Sequence, residues 1–92
     1  MSTVSCNAAP WYLYIIECQN KSLYTGIAKN VAARYALHEK GKGARYTRMH
    51  PPQKLLIQRA YPDHSAALKA ECMLKKYTPQ EKRAWIAEHE IL

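Results

Sequence analysis

Acidic residues are scarce in this chain: seven Asp and Glu stand against fourteen Lys and Arg in 92 residues, a formal net charge of +7. Cysteine is scarce as well. Cys6, Cys18 and Cys72 are odd in number and widely spaced, which argues against a disulfide framework and for reduced thiols in a cytoplasm. No Cys-x-x-Cys pair is present, so the usual zinc clamp is missing. Apolar runs are short, as in Trp11–Ile16, whereas a membrane-spanning helix needs about 20 residues. No basic segment leads into an apolar stretch at the start, so no signal peptide is expected. Repeats and linkers are absent too.

What remains is a globular mix, 48% hydrophobic and 23% charged. The length allows one domain, expected over residues 11–90 behind a loose, polar tail at residues 1–10. A chain of this size buries roughly 60–65% of its unfolded surface, which favours a shallow outer site over a large cavity.

The charge is concentrated in the middle. Between Lys21 and Arg59 there are nine basic residues and one acid, Glu39, a local balance of +8. Such a field suits a polyanion, with nucleic acid the first candidate. No basic amphipathic helix with bulky apolar anchors suggests a membrane surface.

Trp11 to Cys18 is aromatic and β-branched and predicts a strand covered on both faces. Gln19-Asn20-Lys21 makes a turn, and Ser22 to Ile27 returns as a hairpin partner. Gly26 inside that strand predicts a bulge or a close approach by another group. Asn30 fits a helix N-cap, with a helix to about Lys40 and a left-handed stop at Gly41. Gly41 to Gln53 is expected as a loop. Leu55 to Tyr61 predicts a third strand, and Ser65 to Tyr77 a second helix. Thr78-Pro79-Gln80-Glu81 is a capping-box signature that starts a third helix ending near Glu88. The order is β-β-α-β-α-α, an α+β fold with helices on a small sheet.

Singly, the candidate residues admit ordinary structural readings. Tyr14 and Tyr24 suit cross-strand packing. Asn30, Arg34 and His38 recur every fourth residue, so they line one helix face. That face could simply be solvated. Arg34 carries a permanent planar cation suited to phosphate, and His38 exchanges protons near neutrality. Glu71 borders the apolar side of its helix. It could hold a hard cation or pair with Lys75 at i+4.

In combination, Tyr12-Leu13-Tyr14, then Tyr24-Thr25-Gly26, then Asn30, Arg34, His38 and Glu71 resemble the GIY-YIG nuclease domain over residues 11–90. The Gly41-Lys42-Gly43-Ala44-Arg45-Tyr46-Thr47-Arg48 stretch resembles the small stand-alone bacterial members, the YhbQ-like group. The resemblance implies a three-stranded antiparallel sheet flanked by helices and cleavage of phosphodiester bonds with one divalent metal. Tyr14 and Tyr24 match the two motif tyrosines, Gly26 the closing glycine, and Arg34 the helix arginine. His38 matches a position that is His or Tyr in the family, and Glu71 the metal-binding glutamate. Tyr12 stands where the first motif has glycine, and Ile27 where the UvrC-type domain has lysine.

In such a site Glu71 would hold Mg²⁺ or Mn²⁺ and Arg34 would clamp phosphate oxygens. Tyr24 or His38 would take a proton from water, and Tyr14 would position the water or a phosphate. Lys29, Lys42, Arg45 and Arg48 would track the backbone without reading sequence. The reading is a structure-selective endonuclease of single-stranded, flapped or branched DNA in repair or processing. Its alternatives are a non-catalytic nucleic-acid-binding module and a nuclease subunit that needs a protein partner for targeting.

Overall fold

The computed structural model describes residues 10–90. Apart from Pro10, which is exposed and outside regular structure, the expected N-terminal tail lies outside the described residues. The elements are β1 (Trp11–Cys18), β2 (Leu23–Ala28), α1 (Val31–Glu39), α2 (Arg45–Met49), β3 (Pro52–Tyr61), α3 (His64–Lys75) and α4 (Pro79–Glu90). The sheet order is β2-β1-β3, antiparallel throughout. This is the expected three-stranded sheet flanked by helices, with one short helix added before β3.

β1 is central, and Leu13 to Cys18 are all buried. Side chains alternate across a strand, so β1 supplies two cores. Leu13 and Ile15 join Leu23, Ile57, Leu74, Trp85 and Ile86 on the face covered by α3 and α4. Tyr14, Ile16 and Cys18 join Ala28 and Val31 on the face covered by α1. The second face therefore places Tyr14 beneath the helix that bears Arg34 and His38.

Caps fix where the helices begin. The Asn30 side chain accepts from Ala33 N–H at 3.0 Å, and Asp63 accepts from Ala66 N–H at 2.9 Å. The latter starts α3 one residue earlier than Ser65, and α3 ends at Lys75 rather than Tyr77. Thr78 and Glu81 form the reciprocal capping box: Glu81 N–H donates to Thr78 Oγ1 at 3.1 Å and Thr78 N–H to Glu81 Oε1 at 2.8 Å. Each such cap contributes about 1 kcal/mol. Gly41 closes α1 at φ +74°, a conformation that needs no Cβ. On the hairpin, Arg83 of α4 donates to Glu17 and to the Lys21 carbonyl, both at 3.0 Å, tying α4 to the β1–β2 turn.

Two departures have physical causes. β3 begins at Pro52, three residues before the predicted start. It is an edge strand, where proline at the first position removes no ladder bond. α2 replaces part of the expected loop. Five residues are too few for a readable helical period, and Ala44 offers no side-chain cap. The turn is held instead by a tertiary bond from Thr47, described below.

Candidate active site

The site is assembled on the α1-covered face near β2. Tyr14 and Tyr24 come from β1 and β2, Arg34 and His38 from α1, and Glu71 from α3. The tyrosines lie on one face because Tyr14 pairs with Gly26 and Ile16 with Tyr24. Gly26 belongs to a continuous β1–β2 register, so it marks close approach and not a bulge. A Cβ there would lie 2.6 Å from Tyr14 Oη and 2.7 Å from Cζ.

Tyr14 is 1% exposed, and its hydroxyl lies 2.9 Å from His38 Nε2. His38 is also 1% exposed, and its Nδ1 lies 2.6 Å from Thr47 Oγ1. Thr47 Oγ1 in turn donates to the Ala44 carbonyl at 2.9 Å. Gly43 passes directly over the imidazole: a Cβ there would lie 2.8 Å from His38 Cε1. The row Asn30, Arg34, His38 therefore runs from solvent into the core and is not a solvated face. Asn30 and Arg34 are exposed, whereas His38 has both ring nitrogens engaged.

Tyr24 is half-buried. Its ring meets His38 edge-on at 5.3 Å and lies 6.3 Å from Tyr14. Tyr46 of α2 stacks on it at 6.0 Å, and the His50 ring lies 4.9 Å from that of Tyr46. Tyr46 is exposed, between the exposed Arg45 and Arg48. Lys42 is exposed on the approach to α2. Lys29 lies elsewhere, 5.6 Å above the Trp11 ring, and with Trp11, Ile27, Ala28 and Arg34 lines an open groove of about 480 Å³.

Burial governs the proton affinities. It pushes the Tyr14 hydroxyl up to about 12, with Tyr24 adding to the effect and Arg34 offsetting part of it. The Tyr24 hydroxyl is raised by burial too, against the pull of Lys75 and Arg34. His38 is lowered below its usual 6.5 by burial and then by Arg34. Both phenols are thus protonated at neutral pH, and the imidazole is neutral. Glu71 raises the proton affinity of both phenols and Arg34 lowers it, so both charges lie within electrostatic reach of the tyrosine pair.

Glu71 is mostly covered and its Oε2 lies 3.3 Å from Lys75 Nζ, so the i+4 pair expected as an ordinary alternative is formed. Among the described residues no three His, Cys, Asp or Glu side chains converge as a metal cage. A single carboxylate is nonetheless a donor that suits hydrated Mg²⁺, since that ion retains waters and takes substrate oxygens. Thr47, Gly43, Tyr46 and Lys75 complete the surroundings. The first three carry no signal of a site in the sequence, because only tertiary contact with His38 and Tyr24 brings their short segment to it.

Residues 10–84 match the family described as the GIY-YIG catalytic domain, a nuclease family. A UPF0213 protein of Cupriavidus pinatubonensis is 49% identical over 80 residues, covering 87% of this chain and 89% of that one. One from Xanthomonas axonopodis pv. citri is 44% identical over 77 residues, covering 84% and 76%. The solution NMR structure of a UPF0213 protein from Bacillus halodurans superposes with a TM-score of 0.57 at 34% identity, covering 87% of this chain and 85% of that one. No helix among the described residues is long and apolar enough to cross a membrane. The tyrosine pair, the glycine that admits it, and the breadth of these matches lead to one statement: this chain belongs to the GIY-YIG family, among its small UPF0213 members.

Proposed function

We propose that the protein is a divalent-metal-dependent endonuclease that hydrolyses DNA phosphodiester bonds, selecting single-stranded, flapped or branched DNA. The observation that carries this reading is the convergence of Tyr14, Tyr24, Arg34, His38 and Glu71 from four elements around one tyrosine pair. Glu71 would hold Mg²⁺ or Mn²⁺, which when bound supplies charge neutralisation at the phosphate and the leaving oxygen. Arg34 is exposed and free to grip non-bridging oxygens with its planar fork. Tyr24, the more exposed phenol, orients the attacking water for proton transfer to the Tyr14 hydroxyl behind it. His38 is sealed from solvent, so a proton reaches it only through the Tyr14 hydroxyl. Arg45, Arg48 and Lys42 supply salt-dependent contact to the backbone. The exposed Tyr46 ring between two arginines suits an unpaired base, which favours DNA with single-stranded character.

Labelled single-stranded, duplex, flap and junction DNA, incubated with Mg²⁺, Mn²⁺ or chelator, tests the proposal. Metal-dependent cuts in the substrates with unpaired segments are expected. The Glu71–Lys75 ion pair favours a second reading, a module that binds nucleic acid without cutting, because it already satisfies the carboxylate. Salt-sensitive binding with no cleavage under any metal would favour that reading.

The lowered His38 gives the reaction an expected pH signature. An imidazole must be neutral to accept the Tyr14 proton, so turnover rises with pH through an acid limb centred below 6.5. The limb should vanish in His38→Gln. A wild-type limb centred above 6.5 contradicts the assignment.

A further inference from the structure

We propose that Thr47 is a positioning residue: it fixes His38 in the Nδ1–H tautomer and leaves Nε2 bare to accept the Tyr14 proton. Three protons are available along this buried chain, on Tyr14 Oη, on one nitrogen of His38 and on Thr47 Oγ1. The Ala44 carbonyl at the end can only accept. It takes the Thr47 hydroxyl at 2.9 Å and also Arg48 N–H at 3.2 Å, within its two lone pairs. With the Thr47 proton committed there, its oxygen accepts, so Nδ1 at 2.6 Å donates. Nε2 is then a lone pair facing Tyr14 Oη at 2.9 Å, and the phenol donates to it. The opposite arrangement sends the Thr47 proton to Nδ1 and an Nε2 proton to Tyr14. It withdraws the hydroxyl from Ala44 and leaves the phenolic proton of a residue 1% exposed without a place in the chain.

Gly43 seats the ring for this arrangement, since its backbone crosses the imidazole where any Cβ would collide. The geometry also joins binding to chemistry. Thr47 is the one buried residue of α2, whereas Arg45, Tyr46 and Arg48 on the same turn are exposed. One side chain therefore both buries α2, by its shape, and sets the tautomer of His38, by its hydroxyl. In the relay, Tyr14 takes a proton from the attacking water as it passes its own to Nε2. The imidazolium later returns a proton to Tyr14, and Tyr14 releases one to the leaving side, so the chain ends as it began.

The tautomer does not depend on the nuclease reading; only its effect on turnover does. Nitrogen-15 NMR of the histidine rings in the full chain, without metal or DNA, reads the tautomer directly. Nδ1–H is expected in the wild type and in Thr47→Ser. Thr47→Val, which keeps the shape but cannot accept, should shift His38 towards Nε2–H. On flap DNA with Mg²⁺, Thr47→Val should lower kcat by about ten- to a hundredfold. Its KM should stay near the wild-type value, and Thr47→Ser should recover most of the rate. A wild-type Nε2–H tautomer overturns the proposal without any variant. So does Thr47→Val with an unchanged tautomer, or with a shifted tautomer and unchanged kcat. Should the wild type show no turnover at all, the nuclease reading falls while the tautomer comparison still decides the role of Thr47.

Discussion

Arg34→Ala is expected to lower turnover by about a hundred- to a thousandfold, the usual loss when one donor to the transition state is removed. The side chain is exposed and forms no ion pair with a carboxylate among the described residues, so the fold should lose little. Its guanidinium nonetheless acts on Tyr14, Tyr24 and His38 alike. This is the pattern expected of a cation kept for a ligand. Arg34→Lys retains the charge without the fork and should recover only part of the rate. Removing the cation should also ease protonation of His38 and move the acid limb to higher pH. The measurements are kcat on a labelled flap substrate and a thermal melt. Wild-type turnover in Arg34→Ala would remove this residue from the chemistry, and a large fall in melting temperature would make its role structural.

Gly26→Ala should damage fold and activity together. The new Cβ would lie 2.6 Å from Tyr14 Oη, and that same hydroxyl is bonded to His38 at 2.9 Å. With the ring 1% exposed there is no open space for it to enter. Overpacking of this kind costs about 1–3 kcal/mol, and a domain of this size loses roughly 4–8 °C of melting temperature per kcal/mol. The Tyr14–His38 bond should break, and turnover should fall with it. A variant that melts within a degree of the wild type and cuts normally would show that Tyr14 can move aside. The fixed position of Tyr14, argued from Gly26, would then be wrong.

Both positions also show how far the amino-acid sequence alone discloses this fold. The central strand was legible because Trp11 to Cys18 carries apolar side chains at both parities, as a strand packed on both faces must. The capping box at Thr78 and the cap at Asn30 were legible because their bonds are local, closing within three residues. Gly26 was legible as a place of close approach. Its neighbour, Tyr14, follows from register with β1 and needed the paired strands to be seen. His38 was legible as a candidate, yet its burial was not, because the cover comes from Gly43 and Thr47 in what reads as a polar loop. α2 was missed for the same reason: a single turn with no side-chain cap is stabilised by what it touches. Glu71 illustrates a different limit. Spacing correctly places Lys75 beside it, but spacing alone cannot say whether that pair is the end state of the carboxylate or yields to a metal.

If Glu71 makes this scaffold a nuclease, Glu71→Gln should silence it. Glutamine preserves the size and polarity of the side chain while removing the charge that would hold Mg²⁺. Wild type and variant, purified identically, are compared on one labelled flap substrate across a Mg²⁺ titration. Mg²⁺-dependent cutting is expected of the wild type and a loss of at least about a hundredfold in the variant, with binding of the uncut DNA retained. Equal cleavage by the two proteins would contradict it.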